Sequence, residues 1–293
     1  MKLALIVNPS AGGGRAGRAL GDVRQALGRL GLEHQAELTR DLEHAIGLAR
    51  SAAAAGQVAV AFGGDGLVGA VAGALCDDGG GVLGVLPGGR GNDFARVLGI
   101  PLEPVAACQV LATGIARPHD LGQVGSRTFI GIASCGFDSV ANRIANRTRI
   151  VRGNLVYVYG ALRALAGWKP ATFTLEFDHG EQRTATGYTV AAANSKAYGG
   201  GMLMAPDASL QDGLLDVVIV GQVPKLRFLR LLPTVFRGEH VALSNVEVVR
   251  CTSVRIAASR PFTLYADGDP IAELPVTVRA LPEAVRVIVP SRR

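Results

Sequence analysis

The first third of the chain alternates short apolar runs with amphipathic stretches. Leu3 to Val7 is apolar throughout and stops at Asn8-Pro9. A run without polar alternation that ends on a turn predicts a strand buried on both faces, as in a parallel sheet. A Gly-rich stretch over 12–17 follows, then helical spacing from about 18 to 30. A second strand fits 33–38, and Thr39 or Asp41 is placed to cap a helix over roughly 42–55. Val58 to Phe62 runs straight into Gly63-Gly64-Asp65-Gly66, with a helical pattern over 67–76. Val82 to Leu86 runs into Pro87-Gly88-Gly89-Arg90-Gly91-Asn92-Asp93, where Asp93 is predicted to cap a helix starting at Phe94. A further helix fits 103–113. Repeated strand, loop and helix is the signature of a parallel α/β sheet, whose ligands bind beyond the carboxyl ends of the strands. The Gly-rich loops all fall at those ends.

Past about His119 the pattern changes. Strand-like segments dominate, at 120–125, 127–133, 172–178, 186–193, 214–220, 245–249, 253–257, 262–265, 276–279 and 285–289. Many alternate or are short with polar turns between them, which predicts an antiparallel β domain over about 120–282 behind an α/β domain over 1–119. Two helical interludes interrupt it, near 138–166 and 224–237. No Pro- or Ser-rich linker separates the halves, so close packing between them is expected.

Composition narrows the class. The chain is 48% hydrophobic and 18% charged, enough to bury a large core and too apolar for a disordered chain. The net charge of +6 suits phosphates, anionic lipid or nucleic acid alike. With only 5% aromatic residues there is little to stack bases on, which argues against nucleic acid. Lys occurs only at Lys2, Lys169, Lys196 and Lys225, and no G-x-x-x-x-G-K-[ST] is present, so phosphates must be met by backbone N–H groups, helix N-termini and Arg. Cys76, Cys108, Cys135 and Cys251 form no C-x-x-C and read as buried reduced thiols of a cytoplasmic protein. No uncharged run approaches a membrane span, so a lipid substrate would be met from outside the bilayer.

The loops carry the candidate chemistry. Gly12 to Gly17 matches G-x-G-x-x-G after a strand, with Glu37 near the position of a ribose-binding acid; it also reads as a plain Gly-rich connection. Gly63-Gly64-Asp65-Gly66 offers N–H groups to a phosphate and one carboxylate to a metal or its waters. The loop from Pro87 to Asp93 lies at the neighbouring strand end and favours that reading over an isolated tight turn. Further on, Asp207, Asp212 and Asp216 make an acidic turn suited to Mg²⁺, although Asp212-Gly213 is also an ordinary hairpin pair. Asp267-Gly268-Asp269 offers a carboxylate to an attacking hydroxyl, with a surface turn as the alternative. Arg143, Arg147, Arg149 and Arg152 form a basic stretch. Lys225, Arg227 and Arg230 alternate with Leu226, Phe228, Leu229, Leu231 and Leu232; they suit an anionic bilayer, or a helix packed on its own domain.

Taken in order, Asn8-Pro9 with its glycines, Thr39 with His44-Ala45, Gly63-Gly64-Asp65-Gly66, Leu86-Pro87 with Gly89 and Gly91-Asn92-Asp93-Phe94-Ala95, Asn194 with Tyr198-Gly199-Gly200-Gly201-Met202, Pro206-Asp207-Ala208 with Asp212-Gly213, and Asp267-Gly268 resemble the bacterial diacylglycerol kinase and YegS-like lipid kinase family. The resemblance spans almost the whole chain. It implies an N-terminal domain similar to NAD kinase and phosphofructokinase, a C-terminal β-sandwich, and a last strand at about 283–293 that returns to the first domain. It implies an ATP site between the domains, lined by Asn8, Pro9, Ser10, Gly12, Thr39, Gly63, Gly64, Asp65 and Gly66, and Arg90, Gly91, Asn92 and Asp93 of the neighbouring loop join the candidate nucleotide contacts. Asp65 would belong to an Asp–water–Mg²⁺ network. Asp212, with backbone oxygens of Ser209 and Leu214, would hold a second, structural Mg²⁺. Asp269 would accept the proton, beside Asp267.

The chain also departs from that pattern. Where the family has Thr and then Asn-Glu after G-G-D-G, this chain has Leu67, Gly69 and Ala70; Arg90 replaces a Thr, and Asp269 a Glu. An Arg can pair bidentately with phosphate, so Arg90 stands as a replacement. The resulting expectation is ATP-dependent transfer of a phosphoryl group to a lipid hydroxyl, such as diacylglycerol to phosphatidic acid, at the inner face of a membrane. A degenerate binding relative and a kinase of a soluble substrate such as NAD are the rivals. A homodimer is left open.

Overall fold

The computed structural model describes residues 1–77, 79–147 and 155–291. Arg149 and Arg152 of the basic stretch lie outside the described residues, as do the side chains of Arg143 and Arg147.

Four parallel strands open the molecule: β1 (Lys2–Val7), β2 (Glu33–Leu38), β3 (Val58–Gly63) and β4 (Val82–Pro87), side by side in the order β2-β1-β3-β4. β3 is buried along its whole length, which is why it reads as unbroken apolar sequence. Between the strands run α1 (Ala11–Arg29), α2 (Leu42–Ala54) and α3 (Asp65–Asp77), followed by α4 (Asp93–Val97) and α5 (Pro104–Thr113). α1 packs with α5, and α2 with α3. Asp41 caps α2 by accepting the His44 N–H at 2.7 Å, and Glu103 caps α5 through the N–H groups of Val105 and Ala106.

The remaining strands are mainly antiparallel. β5 (Ile115–Val124) and β6 (Arg127–Phe129) form a hairpin, and β7 (Ile132–Gly136) leads into α6 (Phe137–Arg147) and α7 (Leu155–Gly167). Then come β8 (Ala171–Phe177), β9 (Gln182–Ala193), β10 (Leu215–Gly221) and the short α8 (Lys225–Leu231). A 3₁₀ turn over Leu232–Arg237 succeeds α8, with Pro233 at its start. β11 (Val246–Cys251), β12 (Ser253–Ala258), β13 (Thr263–Ala266), β14 (Asp269–Glu273) and β15 (Val276–Val289) complete the chain.

β15 joins the two halves. Its first part pairs with β12 (Val254 with Val278), its length with β5, and its end lies parallel to β4 (Val287 with Leu83). The path β14-β13-β7-β9-β8-β12-β15-β4-β3-β1-β2 is therefore continuous. The sequence pattern divides β15 into two pieces because its pairing with β5 shifts between Leu281 and Val285, where Glu283 is left-handed at φ 50°. Asp120 secures that irregularity. It is fully buried, and its carboxylate accepts the N–H of Glu283 at 2.8 Å and of Gly213 at 2.7 Å.

Candidate active site

Asn8, Thr39, Gly64 and the residues after Pro87 follow the ends of β1, β2, β3 and β4, so the strand order alone lines them up along one edge of the sheet. Asn8 donates its N–H to Phe62 O, and its side-chain oxygen accepts both the N–H and the hydroxyl of Ser10. Gly12, Gly13 and Gly14 then take three successive left-handed conformations before the regular part of α1 begins. A Cβ on Gly12 would stand 2.5 Å from Gly88 O, so only Gly lets this turn approach the β4 loop.

The β3 and β4 loops interlock. Gly88 and Gly89 both donate to Gly63 O, at 2.7 and 3.1 Å. A Cβ on Gly89 would lie 2.5 Å from Gly64 Cα. Asn92 bonds Gly89 in both directions, accepting its N–H and donating to its oxygen, and is held left-handed at φ 52°. The expected cap on α4 is not found: Asp93 is the first helical residue, and the Phe94 N–H is accepted at 3.1 Å by Asp65 Oδ1 from the neighbouring loop. The Asp93 carboxylate instead accepts the Gly200 N–H at 2.7 Å, tying the Gly199–Gly201 turn of the second half to the loop after β4. Burial, and after it the Asp65 charge, push Asp93 up, while the Gly200 N–H pulls it down.

The β13–β14 turn closes the cleft from the other half. Asp267 sits left-handed at φ 51°, its two oxygens accepting the N–H groups of Ile130 and Gly131 at 2.8 and 2.9 Å. Desolvation, with help from the Asp65 charge, pushes this carboxyl up to about 7 despite those hydrogen bonds. Asp267 Oδ2 lies 3.3 Å from where a Cβ on Gly69 would stand, so a side chain at this position would face that carboxylate. Asp269 is exposed, with Oδ2 3.6 Å from a Cβ position on Gly66. The structure thus brings Asp65, Asp267 and Asp269 together, three carboxylates between two sets of Gly-loop N–H groups. Arg90 is exposed between Gly89, which abuts Gly64, and Gly91, whose Cβ position is 3.3 Å from Asp65 Oδ2. Arg15 and Arg18 are less available: they donate to Leu102 O and Gly13 O.

The Asp212 loop stands apart from this cleft, packed on the β15 crossing through Gly213 and Pro282. Asp212 Oδ1 accepts the Leu214 N–H at 3.1 Å, and Oδ2 is paired with Arg250. The Ser209 hydroxyl is used by the Gln211 N–H, and Asp207 is exposed. No three His, Cys, Asp or Glu side chains among the described residues converge as metal ligands. A structural Mg²⁺ at Asp212 would share that carboxylate with the Arg250 guanidinium.

Two features escaped the sequence reading. The Ile130 and Gly131 N–H groups hold Asp267 from residues 136 and more positions away, and Arg250 reaches Asp212 across β10 and β11. Neither has a local signal.

Parallel strands with Gly-rich ends, with Asp65 at one of them, face Asp267 and Asp269 on the antiparallel second half. Residues 2–124 match the diacylglycerol kinase catalytic domain, and residues 131–289 the YegS C-terminal NAD kinase beta sandwich-like domain. The chain belongs to the diacylglycerol kinase and YegS-like lipid kinase family, and it is a lipid kinase. A diacylglycerol kinase of Mycobacterium tuberculosis is 34% identical, over 99% of this chain and 95% of the relative. One from Bacillus subtilis is 31% identical over 100% and 98%. The fold is also that of a diacylglycerol kinase from Bacillus anthracis, with a TM-score of 0.76 at 21% identity, covering 98% and 96% of the two chains. An ATP-bound NAD kinase from Archaeoglobus fulgidus superposes at 0.50 and 14% identity. No helix among the described residues is long and apolar enough to cross a membrane.

Proposed function

We propose that the protein transfers the γ-phosphoryl group of ATP to the hydroxyl of a neutral lipid alcohol such as diacylglycerol, giving phosphatidic acid. The observation that carries this reading is the gathering of Asp65, Asp267 and Asp269 against the Gly loops. ATP lies along the sheet edge with its phosphates over the Gly12, Gly63–Gly66 and Gly88–Gly91 loops. Their N–H groups and the Arg90 guanidinium offset the phosphate charge.

A divalent ion suits the cleft. Asp65 lies close enough to Asp267 to raise its proton affinity, which is the repulsion a bound cation relieves. Asp65, through the oxygen not spent on Phe94, and Asp269 would hold Mg²⁺, which when bound neutralises charge on the transferring phosphoryl.

Asp267 is proposed here as the proton acceptor, with Asp269, exposed beside Gly66, as the acceptor that the resemblance implies. With a carboxyl pushed up to about 7, it can take the hydroxyl proton near neutral pH and is fixed in place by two N–H groups. The lipid oxygen attacks the γ-phosphorus, its proton passes to Asp267, and the bond to the ADP oxygen breaks. Incubation with γ-labelled ATP and mixed micelles carrying a panel of lipid alcohols tests the assignment. Label is expected in a diacylglycerol-type lipid. Label in soluble alcohols or NAD alone contradicts it.

A further inference from the structure

Beyond residue 120, six large apolar side chains are exposed among the described residues: Tyr159, Leu162, Leu226, Leu229, Phe236 and Val248. All but Val248 lie on α7, α8 and the 3₁₀ turn that follows it. Leu226 is 73% exposed and Phe236 55%. These elements adjoin, since Lys225 donates from its Nζ to Ala166 O at 2.9 Å. α8 already has its inward anchor: Phe228 is buried, stacked on Tyr188 at 3.8 Å and edge-on to Phe137 at 4.9 Å. Leu226 and Leu229 are therefore not needed for packing on their own domain.

Charge says what covers them. Residues 159–169 and 222–239 carry Arg163, Lys169, Lys225, Arg227, Arg230 and Arg237 against a single carboxylate, Glu239, a net of +5. All six cations are exposed. Among the described residues, Arg237 pairs with Glu239 at 3.1 Å, and Arg163, Arg227 and Arg230 have no carboxylate partner. A second copy of this face would meet the same cations. An anionic bilayer satisfies both its charge and its apolar side chains.

The face also adjoins the cleft. Val235 O, within the 3₁₀ turn, accepts the Leu203 N–H at 2.9 Å, and a Cβ on Gly238 would lie 2.9 Å from Pro206. Residues 198–203 lead directly from there to Gly200, whose N–H holds Asp93.

We infer that α7, α8 and the 3₁₀ turn form a membrane-docking face that inserts Leu226, Leu229 and Phe236 between the headgroups of anionic phospholipids, beside the mouth of the cleft. The inference rests on the lipid-kinase reading for its purpose, but docking is measured without turnover. The full chain, free of nucleotide, is sedimented with vesicles of phosphatidylglycerol and phosphatidylcholine, or of phosphatidylcholine alone. Binding is expected to the first and to fall in high salt. Leu226→Ser with Phe236→Ser, and separately Arg227→Gln with Arg230→Gln, should each weaken it by about tenfold or more. Both pairs should keep wild-type turnover on a short-chain diacylglycerol dispersed in detergent. Absence of wild-type binding to anionic vesicles, or binding unchanged in both pairs, overturns the inference. So does a dimer that Leu226→Ser with Phe236→Ser disperses without any vesicle binding. Intact docking with no label in any lipid alcohol would instead remove the proposed reaction.

Discussion

Asp65 serves two partners at once. One oxygen accepts the Phe94 N–H, and its charge raises the proton affinity of both Asp93 and Asp267. Asp65→Asn keeps an oxygen for Phe94 but removes the charge. It is expected to retain the wild-type circular dichroism and melting temperature within a few degrees while kcat falls by about a hundredfold or more, read from label transfer. Asp267 makes a pH prediction of definite sign. The unfolded chain releases this proton near the ordinary carboxylate value of 3.8 and the folded chain near 7. The fold thus favours the protonated form, and this group's contribution to stability is complete below about pH 4 and is lost as pH rises toward 7. Urea unfolding of the nucleotide- and metal-free protein at pH 5 and pH 7.5 should show the decline, and Asp267→Asn should flatten it. Activity runs the opposite way, because only ionised Asp267 can accept a proton. Gly69→Asn offers an amide N–H toward Asp267 Oδ2, favouring the ionised form, and should move the acid limb of the kcat/KM profile to lower pH.

At the scale of elements, the loops depend on backbone approaches that side chains would block. Gly12→Ala puts a Cβ at φ +60° and 2.5 Å from Gly88 O. The left-handed conformation alone costs about 1–2 kcal/mol, so thermal unfolding should shift down and the Kd for ATP should rise. Much of this architecture is legible in the sequence, because strands buried on both faces leave apolar runs that stop at Gly, and helices keep their period. What is illegible is set by distant partners. Asp93 looks like a cap because its residue type and position suit one, yet Asp65 takes that role from another loop and frees Asp93 for Gly200. β14 reads Asp269-Pro270-Ile271-Ala272-Glu273, a short edge strand with no apolar alternation, recognisable only by its pairing with β13. Arg250, paired with Asp212 from β11, has no signal in the Asp212 turn itself.

The whole molecule hangs on one strand and one buried carboxylate. β15 pairs with strands of both halves, so the turn carrying Asp267 and the Gly-rich loops extend from one continuous sheet. Asp120→Ala removes the acceptor of the Gly213 and Glu283 N–H groups, both in part-buried hydrogen bonds, and should lower unfolding free energy by about 1–3 kcal/mol in all. A single cooperative urea transition, moved to lower denaturant, is the expected result; two separated transitions would mean that the halves fold independently. The central claim is that the carboxylate cluster transfers phosphate from ATP to a lipid hydroxyl. Its most direct test follows label from γ-labelled ATP into diacylglycerol in mixed micelles, with wild-type protein beside Asp65→Asn and Asp267→Asn. The account predicts labelled phosphatidic acid with wild type and at most a few per cent of that rate with either variant. Undiminished label transfer by the variants, or none by the wild type while it binds ATP, would contradict it.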